Sequence, residues 1–239
     1  MKYYSLLVCL ALFFSSCEED AIESNCEYSE YISETYTTDA RYLLFDEIYN
    51  DQTHPDYNQV EFDDEKVSDI LDAFQAVYNL EVPERDTVMG ELPIHIFPFL
   101  SMQYLSLGLS VGTPELQGLI NGEPTGNETL DFIVSEYDFA LYGNPLYFTE
   151  VVYLYLRTSR ELNLAAIKQV LSPLAFISSV NVDGAIGDGS TIEMSRDGDS
   201  YIIDFSIGWG DCPAGCIYRR HWIFEVDENC EASFIMSYD

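Results

Sequence analysis

Apolar residues recur along this chain first at helical spacing and later at strand spacing. Val67, Ile70, Leu71, Phe74 and Tyr78 share one side of a predicted helix. Asp63 or Asp64 is placed to cap it, Glu65 adds negative charge to its first turn, and Pro83 is expected to end the segment. An earlier helix is predicted from a cap at Asp39 to about Tyr49, with Leu44, Phe45 and Ile48 on one side. Leu105, Leu107, Leu109 and Val111 alternate with Ser106, Gly108 and Ser110, the pattern of a half-buried strand. Residues 151–156 are uniformly apolar or aromatic, as in a short strand covered on both faces. Further helices are expected to start at Pro114, Asn127 and Asn163, with Pro173 bending or ending the last.

From Thr191 the pattern turns to strands, at about 191–195, 200–209, 217–226 and 232–238. The order predicts an α+β fold: N-terminal helices and short strands, then a C-terminal antiparallel sheet of about four strands with a disulfide-pinned hairpin. Residues 1–16 read as a signal peptide and 17–36 as a lipidated acidic tether. Residues 37–239 then form one domain, open to subdivision near 160.

The hairpin's register follows from its apolar faces. Tyr201, Ile203, Phe205, Ile207 and Trp209 share one side of the first strand; Tyr218, Trp222, Phe224 and Val226 share one side of the second. Bringing these faces together sets Phe205 opposite Trp222 and Ser206 beside His221, since a one-residue slip would expose the apolar set. A turn centred on Ala214 would pair even with even positions, so a bulge is expected near Gly208–Gly210. Trp209 is expected in the core. Asp204, Ser206 and His221 share the polar face, but a Ser-His-Asp triad also needs oxyanion donors and a cleft. Mid-strand positions offer no nucleophile elbow. The face is read as solvated, and no catalytic residue is assigned.

Composition narrows the class. The formal net charge is −32 in 239 residues, which disfavours nucleic acid and anionic lipid as partners. The acids are scattered through a chain that is 47% hydrophobic, so it is expected to be globular. No dinucleotide, phosphate-loop or nucleophile motif occurs. Residues 183–189 and 196–199 have a calcium-like look, yet lack the alternating Asp and distal Glu of a calcium loop. Calcium stays open on acidity alone, and no other cofactor or metal is expected. His95, between Ile94 and Ile96, reads as a structural histidine at a strand edge.

The start of the chain carries the most specific signal. Lys2 precedes an apolar run from Leu6 to Phe14, followed by Ser15-Ser16-Cys17. That run is far shorter than the roughly 20 residues a membrane-spanning helix needs. Ser15-Ser16-Cys17 resembles a lipobox, with Phe14 where Leu is usual. The acidic Glu18-Glu19-Asp20 resembles the surface-export signal of Bacteroidetes-type lipoproteins. The resemblance implies lipid attachment at Cys17 and a lipid-anchored, surface-exposed place at the outer membrane. The membrane would be touched through the anchor only. Near the other end, Gly208-Trp209-Gly210-Asp211-Cys212-Pro213-Ala214-Gly215-Cys216 resembles a segment of uncharacterised secreted proteins, which implies no activity.

With Cys9 in the signal peptide and Cys17 lipidated, Cys26, Cys212, Cys216 and Cys230 remain, and three pairings are open. Cys212 and Cys216 flank a Pro-Ala-Gly turn and are expected to pair locally. Cys26 and Cys230 would then join the chain ends. A zinc site would need more His or Cys at ligand spacing than the chain offers. Asp211 and Pro213 on the pinned tip, with Arg219 and His221 beside it, are candidate binding residues, because a preorganised loop binds at lower entropic cost. The expected function is a binding or accessory domain for a protein or glycan at the cell surface. An envelope protease or enzyme inhibitor using the pinned loop as a wedge, and a hydrolase with an unrecognised site, are the alternatives.

Overall fold

Ser29 accepts a hydrogen bond from the Ile32 amide and opens helix α1 (Glu30–Asn50). The computed structural model describes residues 27–90, 93–182 and 184–239. Ile32, Tyr36, Ala40, Leu44 and Ile48 recur every fourth residue of α1 and are all buried. Asp39 sits inside the helix, only 3% exposed, instead of capping it. The helix therefore takes in residues that the polar pattern assigns to the tether. Asp63 caps α2 (Asp64–Tyr78) by accepting from the Glu65 amide. Pro83 opens a short helix, α3 (Pro83–Met89), rather than only closing off α2, because the first helical turn has no use for its missing N–H.

The first sheet has the antiparallel order β2-β3-β1-β4. Its strands are β1 (Tyr104–Ser110), β2 (Ala140–Tyr147), β3 (Val151–Arg157) and β4 (Ile177–Asn181). Helices α4 (Pro114–Asn121), α5 (Glu128–Glu136) and α6 (Leu164–Leu171) begin where expected, and the Asn127 and Asn163 side chains accept the first-turn amides of the latter two. The expected exposures of two strands are exchanged. β1 is buried on both faces, while β3 alternates and leaves Tyr155 and Arg157 exposed. The cause is cross-strand: Gly108 of β1 faces Tyr153 of β3, whose ring would lie 3.2 Å from any Cβ added there. The tyrosines of β3 thus cover the small residues of β1.

The second sheet follows chain order: β5 (Thr191–Asp197), β6 (Ser200–Trp209), β7 (Tyr218–Val226) and β8 (Ala232–Tyr238). Phe205 pairs with Trp222 and Ser206 with His221, as the apolar faces require. The bulge expected near Gly208–Gly210 is absent, and the register runs unbroken to Trp209 opposite Tyr218. The intervening loop, 210–217, has an even number of residues and delivers odd-to-even pairing by itself. A register shift occurs instead between Ile223 and Phe224, against β8.

Two cores result. The apolar face of the second sheet packs on α1 and α2, with Phe74 of α2 centred 6.1 Å from Phe205. The first sheet encloses the other core with α4, α5 and α6. Helix α1 serves both, Leu44 and Ile48 facing one core and Phe45 the other. Residue 160 lies in the loop between β3 and α6, and the chain passes from one sheet to the other over 182–190. Cys212 and Cys216 form a disulfide at the end of the β6–β7 hairpin. Cys230 is also disulfide-bonded. Cys26, Cys17 and the signal segment lie outside the described residues. No helix among the described residues is long and apolar enough to cross a membrane.

Candidate functional site

The C-terminal hairpin divides the predicted binding residues into two groups. Asp211 and Pro213 are exposed at its tip. Arg219 and His221 are engaged within the fold. Arg219 donates from Nη1 to Ser206 Oγ at 2.8 Å and from Nη2 to Asp188 Oδ1 at 2.5 Å. Asp188 accepts from the Cys216 amide at 3.1 Å, and its own amide donates to the Cys212 carbonyl at 2.8 Å. The Arg219 hydrogen bond holds the Asp188 carboxyl below the usual carboxylate range. His221 pairs through Nδ1 with Asp204 Oδ2 at 2.9 Å and stacks on Tyr238, ring centroids 4.6 Å apart. Burial raises the Asp204 carboxyl, against the pull of His221. Ser206, 1% exposed, gives its hydroxyl oxygen to Arg219 rather than to His221.

Trp209 departs from expectation. It lies on the apolar side of β6 but is 45% exposed, stacked on Tyr218 at 5.8 Å. Ile207 is the last residue on that side packed against the core. The calcium-like stretches serve other ends: Asp188 is bound to Arg219, and Gly198-Asp199 makes the two-residue turn between β5 and β6, with Gly198 at φ 62°. Asp183 lies outside the described residues. Among the described residues, no cluster of three or more His, Cys, Asp or Glu is placed to hold a metal ion. His95 lies in an irregular segment, not a strand, and pairs with the buried Asp39 at 2.6 Å. The Ile96 amide donates to the other Asp39 oxygen at 2.7 Å, so the segment is fixed to α1.

Pro98 and residues 100–103, which follow that anchored segment, form one wall of a cleft of about 700 Å³. Thr38 and Tyr42 of α1 form another wall, and Tyr104, Tyr142 and Tyr155 enter from three adjacent strands. Gly184 and Ala185 close one side. Gly184 must be glycine, because a Cβ there would lie 2.3 Å from the Pro98 carbonyl oxygen. Tyr142 is 51% exposed and meets Tyr104 edge-on, centroids 5.3 Å apart. The Arg157 guanidinium lies over both rings, 5.3 Å from Tyr104 and 5.8 Å from Tyr142.

The carboxylate in this cleft is paired. Glu161 accepts from Thr38 Oγ1 at 2.8 Å and Arg41 Nη1 at 2.6 Å. Burial, with help from the charges of Glu161 and Asp39, pushes the Tyr42 phenol up to about 12. It is therefore a neutral hydroxyl at physiological pH. A second depression, of about 830 Å³, runs between α1, α2 and β5 and is lined by charged groups. Its cations are engaged: Lys66 pairs with Asp56, and Arg196 donates to the Tyr201 hydroxyl.

The tyrosine cleft has no counterpart among the residues singled out from the sequence. Its members lie on α1, β1, β2 and β3, spread over more than a hundred residues of chain, and only topology unites them. Eighteen tyrosines in the chain are the trace it leaves in composition. No family model, curated protein or solved structure matches this chain.

Proposed function

We propose that this chain is an exported lipoprotein, lipid-anchored through Cys17 and exposed at the outer surface, whose α+β domain binds a protein or glycan. The cleft lined by Tyr42, Tyr104, Tyr142 and Tyr155 carries this reading: it offers aromatic faces, neutral hydroxyls and amides, its carboxylate Glu161 is paired with Arg41, and the Arg157 guanidinium lies over two of its rings. Such apolar concavities with a few convergent polar groups are the usual form of a ligand site. The Ser15-Ser16-Cys17 and Glu18-Glu19-Asp20 pattern supports the anchor.

The test immobilises the purified protein, disulfides intact, and exposes it to envelope extract, secreted proteins and polysaccharides beside a Tyr142→Ala variant. A ligand held by the native protein and lost from the variant is the expected result; equal capture by both contradicts the cleft. Mass spectrometry of protein extracted from membranes should find diacylglycerol on an N-terminal Cys17. An unmodified Cys17 would remove the anchor from the proposal.

The exposed Trp209, Ile217 and Tyr218 around the pinned loop favour a second reading, an inhibitor or adaptor that inserts this tip into a partner. Capture lost in Trp209→Ala and kept in Tyr142→Ala would select it.

A further inference from the structure

We infer that the ligand of the tyrosine cleft is a neutral oligosaccharide whose rings stack on Tyr142 and Tyr155. The inference rests on the cleft being the binding site and adds the class of ligand. A sugar ring presents flat C–H faces edged by hydroxyls. Tyrosine answers both, with an apolar ring and a polar tip. Tyr142 and Tyr155 are paired in register across β2 and β3, and both are exposed. The hydroxyls of Tyr42, Tyr142 and Tyr155 have no protein hydrogen-bond partner among the described residues, nor does the Asn144 amide beside them. These groups can both donate and accept, which suits a ligand rich in hydroxyls.

Charge excludes the rival small ligands. An anionic saccharide would meet a protein of formal net charge −32. A cationic ligand would be repelled by the Arg157 guanidinium beside Tyr104 and Tyr142, and would find Glu161 already neutralised by Arg41. A peptide adding itself as a strand would need a regular edge. The edge strand β2 is broken instead by Gly143-Asn144-Pro145, where its register against β3 shifts between Tyr142 and Leu146. Proline withholds a donor there, so the edge is a poor template for strand addition.

Native gel electrophoresis of the whole protein tests this, in gels containing soluble α-1,4-glucan, β-1,3-glucan, β-1,4-glucan, β-mannan or xylan, with polygalacturonate as the anionic comparison. At least one neutral polymer should retard the protein. Tyr142→Ala and Tyr155→Ala should each weaken that retardation at least tenfold, with Tm kept near the native value, and Trp209→Ala should leave it unchanged. Retardation by polygalacturonate alone, by no polymer, or equally for native protein and both tyrosine variants overturns the inference. A protein captured from extract by the native chain and lost with Tyr142→Ala, without any retardation by neutral polymer, overturns the saccharide and keeps the cleft. Capture that survives Tyr142→Ala defeats the cleft itself.

Discussion

Arg219 reaches Asp188 at 2.5 Å and so fastens the segment joining the two sheets to the disulfide hairpin. The same guanidinium satisfies the buried Ser206, and Asp188 in turn holds the Cys216 amide. One arginine thus ties β6, β7, the 182–190 connection and the Cys212–Cys216 loop together. Arg219→Ala leaves a buried hydroxyl and a carboxylate short of a partner, and should cost about 1–3 kcal/mol in urea unfolding. Arg219→Lys should rescue little of it, because an ammonium cannot reproduce the two-pronged donation. A loss below about 0.5 kcal/mol, the scale of an ordinary surface substitution, would make the pair ornamental.

The pinned loop makes a separate prediction. Closing so short a loop removes little chain entropy from the unfolded state, roughly 2 kcal/mol by the loop-length relation. Cys212→Ser with Cys216→Ser should lower stability by about that amount and leave the circular dichroism spectrum native. Loss of the fold would show that the bridge does more than restrain the tip.

Gly118 sets helix propensity against packing. Alanine is better than glycine inside a helix by about 1 kcal/mol. A Cβ at Gly118 of α4, however, would lie 2.8 Å from the Thr125 Cα and 3.1 Å from the Glu123 carbonyl oxygen. These are backbone atoms with little freedom to retreat. Gly118→Ala should therefore destabilise, by about 1–3 kcal/mol, and a gain in Tm would contradict the packing.

The carboxylates predict a stability maximum in mildly acidic solution. Burial raises Asp39 and Asp204 above the ordinary carboxylate value. In the interval between that value and the raised one, the folded state holds more protons than the unfolded, so stability falls as pH rises. Asp188 is lowered by Arg219, so its contribution is present above the ordinary value and lost as pH falls through the lowered one. Self-repulsion of the acidic chain adds to the decline at higher pH. Tm should peak in mildly acidic solution and fall on both sides, and Asp39→Asn should flatten the alkaline side. A Tm that climbs steadily to pH 8 would contradict the burial argument.

Much of the second sheet was legible because two alternating apolar faces have one mutual alignment. That constraint alone places Phe205 on Trp222. It says nothing of where the helical cover stops, which is why Trp209 was expected inside. The loop length, not a bulge, settled the parity of pairing. The start of helix α1 is hidden in the sequence because Asp39 has the chemistry of a capping residue. Its burial depends on His95 and Ile96, more than fifty residues away. Strand β2 leaves no strand pattern because Gly143-Asn144-Pro145 interrupts it, where its register against β3 shifts, and an edge strand tolerates that sequence. The cleft was illegible for a related reason: each tyrosine is an unremarkable residue of its own element, and their meeting depends on the β2-β3-β1 order.

We propose that ligand meets the protein at the tyrosine cleft. The most direct measurement compares affinity for the captured ligand in the Tyr142→Ala/Tyr155→Ala and Trp209→Ala/Tyr218→Ala proteins against the native chain. At least a tenfold loss in the first and native affinity in the second are expected. Native affinity in the first, with loss in the second, would move the function to the disulfide-pinned tip and rule out binding at the cleft.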